Sequence, residues 1–419
     1  MAGWMDRRRV VQIVGGAASV QRFVIAAAAS LACVYPVLAQ ETRADTLKQA
    51  REEKAKTVEP YQPSLLERTL KRIERSGVPL ITRDGVYLKF GSLTTGSGFA
   101  YGAGYRSRRL FDGLGQIDAW AGASMTRYWA AEARLRFPDL ADGHLDLQAY
   151  GRRHDYPQEY FFGLGPLSLR RNQTDYAIQQ TTVGFRAALK PAPIIAVGGG
   201  FEHTDTGVAD GTDASVPSVG DVFDDAAAPG LARQPDYLRG LVYVEVDWRR
   251  PLNARKGGWY RAEVSRFDDR RGFGYSFDRL DVDLRQYVSF LSERRVLAAR
   301  VAMSTSSVEA DQQVPFYMMP TLGGNDSLRG FRDYRFRGPH ALLMQGEYRF
   351  EVWSGLDAAL FYDAGKVAMR RSQLDFNHLE SDYGFGFRFN TDRGVVFRVD
   401  AAFGSRDGKH LWMVFGGRF

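Results

Sequence analysis

The sequence predicts an all-β fold, a 16-stranded transmembrane antiparallel β-barrel with a short N-terminal periplasmic helix, from three observations. Apolar and polar residues alternate with a period of two from Val86 to the end of the chain. The alternating segments are even in number, and the connections between them alternate between long and short. No run of about 18 apolar residues is present, which excludes spanning helices.

The two faces of the alternating segments differ in a way that favours a membrane barrel over a soluble β-sandwich. The segment 344–352 carries Glu347, Arg349 and Glu351 on one face and apolar residues on the other. A sandwich would turn its apolar faces towards a shared core. Here charges of both signs fit a polar lumen, and the aromatic residues of the opposite face fit lipid. The mean hydropathy of −0.32 agrees, because only half of each strand must be apolar.

The predicted strands are taken in order from the alternation. Their approximate bounds are 86–93, 98–107, 116–124, 127–137, 145–153, 176–188, 193–204, 237–248, 258–266, 276–288, 294–306, 341–352, 356–368, 382–390, 394–403 and 410–419. The connections after strands 5, 7, 11 and 13 are long, and those after strands 6, 10, 12 and 14 are short. Short turns face the periplasm in bacterial barrels, so the amino terminus is predicted to lie there.

Residues 1–39 are typical of a signal peptide. A basic start precedes an apolar, alanine-rich stretch at 23–34, and small or apolar residues stand before Gln40. Met5 is an alternative start, because the basic segment is long. A lipoprotein signal at Cys33 is a second alternative, although its spacing departs from the usual pattern. Cys33 is the only cysteine, so the exported chain would have no disulfide and no cysteine-based metal site.

Residues 40–85 are predicted to form a periplasmic leader before a barrel domain at 86–419. Within the leader, 63–76 has the capping residues and apolar spacing of a short amphipathic helix. This helix would rest at the barrel mouth or on the membrane surface. Removing 1–39, with four arginines and one aspartate, lowers the net charge from +7 to +4. That balance is mild, and we expect no nucleic-acid partner.

A glycine-rich segment at 320–331 lies between two predicted strands and holds a charged residue among apolar ones. A buried charge needs a partner, and Asp363 is a candidate for Arg329. The residues predict that the loop folds into the lumen and is clamped there; the alternative is an exposed loop with a solvated arginine. The predicted clamp comprises Leu328, Arg329, Gly330 and Phe331 in the loop and Phe361, Asp363 and Gly365 on one strand face.

These two motifs resemble those of the bacterial surface antigen superfamily of BamA-like and TamA-like outer-membrane barrels. The resemblance implies that Arg329 anchors the sixth outer loop in the lumen and that Asp363 on strand 13 is its partner. It is strongest over 316–419, and 160–165 also looks like a feature of shorter members. The resemblance further implies that protein-handling members carry periplasmic POTRA domains of about 75 residues each. The segment between Gln40 and Val86 is too short for one, so the chain resembles a member that lacks them.

The last predicted strand ends in an aromatic residue. Phe415 and Phe419 share a face of this strand, and the resemblance implies that a terminal aromatic acts as a C-terminal assembly signal. The expected partners follow from this interpretation. They are outer-membrane lipid, the barrel assembly machinery during biogenesis, and a protein or lipid substrate.

The remaining polar patterns do not predict a catalytic or metal site. The six histidines are scattered, and the Asp-rich segment 205–225 lacks EF-hand spacing, so we interpret it as a solvated mobile outer loop. Glu347 and Glu351 are interpreted as members of a balanced lumen network that includes Arg349, Arg388 and Arg398. No nucleophile–base arrangement and no cofactor motif is recognisable, and we expect a protein that is not an enzyme.

Fold does not determine function, and two functions stay open. The first is assistance to the assembly or translocation of protein or lipid at the outer membrane, through local opening between the first and last strands. The second is a passive or gated channel for small solutes, with charged rings that set its selectivity.

Overall fold

The structure is a computed structural model that describes residues 84–249, 255–291, 293–353, 355–391 and 394–415. The predicted signal peptide at 1–39 and the amphipathic helix at 63–76 lie outside the described residues, as does nearly all of the predicted leader at 40–85. The described part is dominated by β-strands, and the predicted all-β class is confirmed.

Sixteen long strands form a single antiparallel sheet, and the predicted 16-stranded barrel is confirmed. We number these strands β1 to β16 in chain order. Their bounds are Gly85–Gly91, Ala100–Leu110, Gly115–Ser124, Trp129–Asp139, Leu145–Phe161, Thr174–Ala192, Ile195–Asp210, Asp236–Asp247, Gly257–Asp269, Phe277–Phe290, Arg295–Ser307, His340–Trp353, Leu356–Ala368, Glu380–Thr391, Gly394–Ser405 and Gly408–Phe415.

Short elements lie in the connections. Helical turns are found at Leu140–Gly143, Arg170–Asn172, Val219–Val222, Phe316–Met318 and Arg371–Gln373, and two-residue strands at Thr321–Leu322 and Phe336–Arg337. Among the described residues, no helix is both long enough and apolar enough to cross a membrane.

Each strand pairs with its neighbours in the chain, so the sheet is a continuous meander that curls into a nearly closed barrel. β1 and β16 are the two edges of the sheet. They come close to each other, but no hydrogen-bonded ladder joins them among the described residues. The barrel therefore has one seam without the backbone hydrogen bonds that hold every other strand pair.

Side-chain exposure follows the alternation along the strands. On β13, Phe361 and Asp363 are 5% and 0% exposed, whereas the alternate residues Leu360 and Tyr362 are 54% and 55% exposed. The buried side chains include charged residues, so the enclosed face is polar and the outer face apolar. This is the distribution of a barrel with a polar lumen in an apolar environment.

Aromatic side chains cover glycines on the lumen face. Tyr87 of β1 lies opposite Gly104 of β2 in the register, and a Cβ on Gly104 would lie only 2.4 Å from the Tyr87 ring. The same relation holds between Phe361 of β13 and Gly384 of β14. These glycines are required because the backbone must pass directly beneath a ring.

The connections divide the barrel into a long-loop end and a short-turn end. The long loops are 162–173, 211–235, 308–339 and 369–379, and the short connections at the other end are those that follow β6, at 193–194, and β10, β12 and β14. These are the connections whose lengths the sequence predicted.

Three strands extend farthest beyond their predicted bounds. β5, β6 and β7 contain 17, 19 and 16 residues. Their extra length lies mostly towards the long-loop end, where polar residues such as Thr204 and Thr206 are buried. Apolar alternation could not reveal this extension. Tyr160 and Phe161 are consequently part of β5, and the predicted end of this strand at residue 153 is wrong.

Candidate functional site

The connection 308–339 between β11 and β12 folds back on itself as a small hairpin. Thr321–Leu322 pairs with Phe336–Arg337, and the amide of Gly324 donates to the carbonyl of Phe331 at 3.0 Å. Gly323 has a φ of 115°, and a Cβ there would lie 2.2 Å from the carbonyl oxygen of Arg332. The turn therefore requires glycine, and it directs the following residues towards the barrel wall.

Arg329 contacts Asp363 through two parallel hydrogen bonds. Nε donates to Oδ2 at 2.7 Å and Nη2 donates to Oδ1 at 2.8 Å. Both side chains are almost fully enclosed, at 1% and 0% exposure. The guanidinium carbon also lies 3.5 Å from the ring centroid of Phe361. Two of the residues that β13 presents to the lumen thus contact the same arginine, one through charge and one through its π-face.

Further charges from β12, β14 and β15 surround this pair. Glu347 accepts hydrogen bonds from Arg329 at 3.1 Å, from Arg349 at 2.6 Å and from Arg388 at 2.8 Å. Arg388 also forms an ion pair with Asp400. The sequence placed Glu347, Arg349 and Arg388 in one lumen network, and the structure brings them together.

The rest of the loop motif packs closely against the barrel. Leu328 and Phe331 are fully buried in an apolar cluster with Leu322, Phe336, Ala341, Leu343 and Val367. A Cβ on Gly330 would lie 2.4 Å from Cβ of Asp382, and one on Gly365 would lie 2.7 Å from a β12 carbonyl oxygen. Both glycines are therefore required by close approach of the loop to the wall.

The backbone of the loop is held by the last two strands. Nε1 of Trp412 on β16 donates to the carbonyl of Arg329 at 2.6 Å. Ser405 of β15 donates to the carbonyl of Gly330, and Arg398 of β15 donates to that of Asn325 at 2.6 Å. The loop thus contacts every strand from β12 to β16, including the edge strand at the seam.

Two further buried arginines of the loop connect it to the long-loop end of the barrel. Arg335 donates to the hydroxyl and carbonyl oxygens of Ser168 at 2.8 and 2.7 Å. Arg337 donates to the carbonyl of Phe316 at 2.9 Å and to the Tyr176 hydroxyl at 3.0 Å. Sequence analysis missed both arginines, although their alternation with Phe336 was a signal of a structured segment.

An aromatic cluster fills the lumen near the long-loop end. Phe316 of the loop is fully buried, with its ring centroid 5.0 Å from that of Phe161 and 4.9 Å from that of Tyr176. Val219 and Ala228 of the connection 211–235 belong to the same cluster. The prediction of a wholly solvated loop is therefore wrong for this connection, since its apolar residues are drawn into the cluster.

The carboxylate of Asp333 in the loop is partly buried, and it forms no ion pair with the described residues. Oδ1 of Asp333 is enclosed and accepts no hydrogen bond from the described residues. Burial, together with the neighbouring Asp326, raises the pKa of Asp333 to about 7. A protonated carboxylic acid is the form that this environment favours.

The other predicted site residues lie elsewhere. Phe415 is the last described residue of β16 and pairs with Phe397 of β15, whereas Phe419 lies outside the described residues. No group of at least three His, Cys, Asp or Glu side chains that could hold a metal ion occurs in the described part of the chain.

Comparison with known proteins agrees with this architecture. Residues 256–410, which include both motifs of the clamp, match the Omp85 superfamily domain. The structure is similar to that of BamA from Haemophilus ducreyi lacking POTRA domains 1–3, with a TM-score of 0.58, 12% identity, and coverage of 80% of this chain and 70% of that one.

It is also similar to CdiB from Escherichia coli, with a TM-score of 0.52, 13% identity, and coverage of 79% of this chain and 61% of that one. No curated protein matches the sequence. The predicted resemblance to BamA-like barrels is confirmed.

Proposed function

We propose that this Omp85-type barrel assists the assembly or translocation of protein or lipid substrates at the outer membrane by opening between β1 and β16. The observation that carries the proposal is the distribution of contacts around the seam. The loop 308–339 contacts β12 to β16, whereas the two strands at the seam share no ladder among the described residues. The β12–β16 side of the seam is thus braced from within by a buried ion pair, whereas on the β1 side the loop reaches the connection to β2 through Tyr334, whose hydroxyl donates to the carbonyl of Thr95 at 3.1 Å.

The bracing has a physical consequence for opening. Separating most strand pairs would break a full ladder of backbone hydrogen bonds, which is costly in a membrane because water cannot replace them. Separating β1 from β16 avoids much of that cost. The ion pair of Arg329 with Asp363 would keep β12 to β16 together as one body while β1 moves. In this proposal, Arg329 thus stabilises the part of the wall that β12 to β16 form.

The cluster at the long-loop end opposes the alternative of a passive or gated solute channel. Phe316, Phe161 and Tyr176 are buried against one another in the lumen, and Arg337 lies between them. Packed aromatic rings exclude water, so an open aqueous path would require that this cluster move. The chemistry we propose is non-enzymatic: the barrel binds and guides its substrate.

We further propose that the long-loop end faces the cell exterior and the short-turn end the periplasm, since short turns are periplasmic in such barrels. Residues 1–39 would then be removed as a signal peptide, and 40–85 would form a periplasmic leader. The barrel assembly machinery would insert the chain, with Phe415 and Phe419 as the C-terminal signal.

Planar-bilayer conductance tests the proposed function against the channel alternative. We expect the purified barrel to be closed most of the time, with brief small openings. A disulfide between cysteines placed on β1 and β16 should abolish substrate handling while leaving the fold intact. A large, stable conductance in the unmodified barrel, or full activity with the seam locked, would contradict the proposal.

A further inference from the structure

A cavity of about 650 Å³ follows the inner face of the sheet from β1 to β5. Its lining contains six basic side chains, Lys89, Arg106, Arg108, Arg134, Arg136 and Arg152. Among the described residues, two acidic side chains, Asp118 and Glu132, line it, and Arg136 pairs with Asp146 outside the lining, which leaves an excess of three positive charges. The lumen around Arg329 differs, because four arginines there are balanced by nearby carboxylates. The wall beside β1 therefore has an uncompensated positive potential.

Both acidic residues of the cavity are already engaged. Asp118 accepts from Arg106 and from the Tyr87 hydroxyl, the latter at 2.8 Å. Glu132 accepts from Arg134 at 2.6 Å. Neither carboxylate is therefore left to neutralise the remaining basic groups.

Three basic side chains of the cavity have N–H groups that can donate hydrogen bonds to a ligand. The ammonium of Lys89 lies 3.1 Å from the ring centroid of Trp120, and Nε of Arg152 is buried with no hydrogen-bond partner among the described residues. Arg108 is exposed to the cavity. Within the described residues, neither Lys89 nor Arg108 forms an ion pair. A bound anion would supply the missing acceptors.

The cavity also continues around the edge of β1. Tyr87 and Lys89 line it from the lumen face, and Leu88 and Phe90 line it from the outer face. Leu88 and Phe90 are 43% and 57% exposed. Both faces of one strand can border a single cavity only where that strand lacks a paired neighbour. The cavity is thus continuous between the polar lumen and the apolar surface.

We propose that this cavity binds the phosphate headgroup of an anionic phospholipid, whose acyl chains remain against Leu88 and Phe90. Arginine forks and lysine ammonium groups bind phosphate oxygens strongly, and more so where water is scarce. Arg108 and Arg136 lie within four residues of the turns 111–114 and 140–144 at the short-turn end. That position suits a lipid of the periplasmic leaflet. The inference deepens the proposed function and rests on its unpaired seam.

The test measures lipid binding to the purified full-length barrel in detergent by native mass spectrometry. Dimyristoyl phosphatidylglycerol is the probe, and dimyristoyl phosphatidylcholine is the zwitterionic comparison. We expect preferential binding of phosphatidylglycerol. The double variant Lys89→Gln/Arg108→Gln should bind it at least about tenfold more weakly, a loss of about 1.4 kcal/mol. Its binding of phosphatidylcholine should not change.

Arg153→Gln is the matched control, because Arg153 stands next to Arg152 on β5 but on the outer face. It removes one positive charge from the barrel without touching the cavity, and its lipid affinity should equal that of the unmodified protein. If the double variant does not fold, Arg108→Gln alone serves, since the exposed Arg108 has no ion pair in the described structure.

Several results would overturn the inference. Equal affinity for the two lipids would do so, as would equal losses in Arg153→Gln and the double variant. Inorganic phosphate that competes as strongly as the lipid would show that no acyl chain is recognised. Displacement of the lipid by a polyglutamate peptide at lower concentration would assign the cavity to acidic peptide. Binding in detergent needs no strand opening, so a negative result here would leave the proposed function intact with protein as its substrate.

Discussion

Arg329 and Asp363 lie 34 residues apart in the chain and meet in the barrel lumen through two hydrogen bonds of 2.7 and 2.8 Å. Neither side chain has more than 1% of its surface exposed. An ion pair in such an environment contributes little net stability if both partners are removed, but losing one partner leaves the other charge buried and uncompensated. The pair is therefore best tested by single and double substitutions.

Arg329→Ala should lower the free energy of unfolding by about 3–5 kcal/mol, the usual cost of breaking a buried ion pair. Asp363→Asn should cost a similar amount, and the double variant should be little worse than either single one, because both changes remove the same contact. Urea midpoints measure the cycle, and proteolysis of the connection 308–339 is the second readout. Arg349→Ala is the control, because it removes another buried arginine of the same network and leaves the contact between Arg329 and Asp363 in place. Strictly additive effects, or a fully protected loop in Arg329→Ala, would show that the two residues do not act together.

Gly330→Ala should loosen the loop without removing any charge. The added methyl group would meet Cβ of Asp382 at 2.4 Å, and overpacking of this kind costs about 1–3 kcal/mol. Faster cleavage of the loop by protease measures the effect. Gly207→Ala on β7 is the control, since a Cβ there has no neighbour within 4 Å. Indistinguishable cleavage of the two variants would mean that the loop does not approach the wall as described.

The packing of the loop should weaken as pH rises, because of Asp333. Burial raises its pKa from the ordinary 3.8 to about 7, so the folded loop binds a proton that the unfolded loop has already lost. Its contribution to stability is complete below pH about 4 and is lost as the pH rises through about 7. Loop proteolysis should accordingly be slower at pH 5 than at pH 8. Asp333→Asn should remove this difference, and an unchanged pH dependence in that variant would exclude Asp333 as its source.

Cysteine labelling tests the proposed orientation. A cysteine at Asp213 or Ser372 should react with an impermeant reagent on whole cells, because both lie in loops of the long-loop end. A cysteine at Pro191, near the turn 193–194, should react only after the outer membrane is permeabilised. The reverse labelling pattern would show that the barrel has the opposite orientation in the membrane.

Deleting Phe419 should reduce the amount of heat-modifiable folded barrel in the outer membrane. The expected cause is loss of the aromatic group that the assembly machinery would recognise on the last strand. Phe419→Tyr is the control, because it keeps an aromatic terminus. Normal amounts of folded barrel in the deletion variant would remove the case for a terminal signal.

The sequence by itself determined the barrel. Alternation with a period of two is a local property, and each strand repeats it independently, so the number, order and faces of the strands could be predicted from single segments. The loop and strand motifs around Arg329 and Asp363 were also visible, because a lone charge among apolar residues requires a partner.

Only the tertiary structure decided what surrounds that pair. Glu347, Asp400 and Trp412 reach Arg329 from three strands, and their convergence depends on the register and curvature of the whole sheet. The burial of Val219 beside Phe316 likewise joins two loops that are distant in sequence. The edge of β1, which pairs with no strand from the other end of the sheet among the described residues, and the cavity that passes around it exist because two strands distant in the chain approach each other. No local pattern of residues encodes that relation.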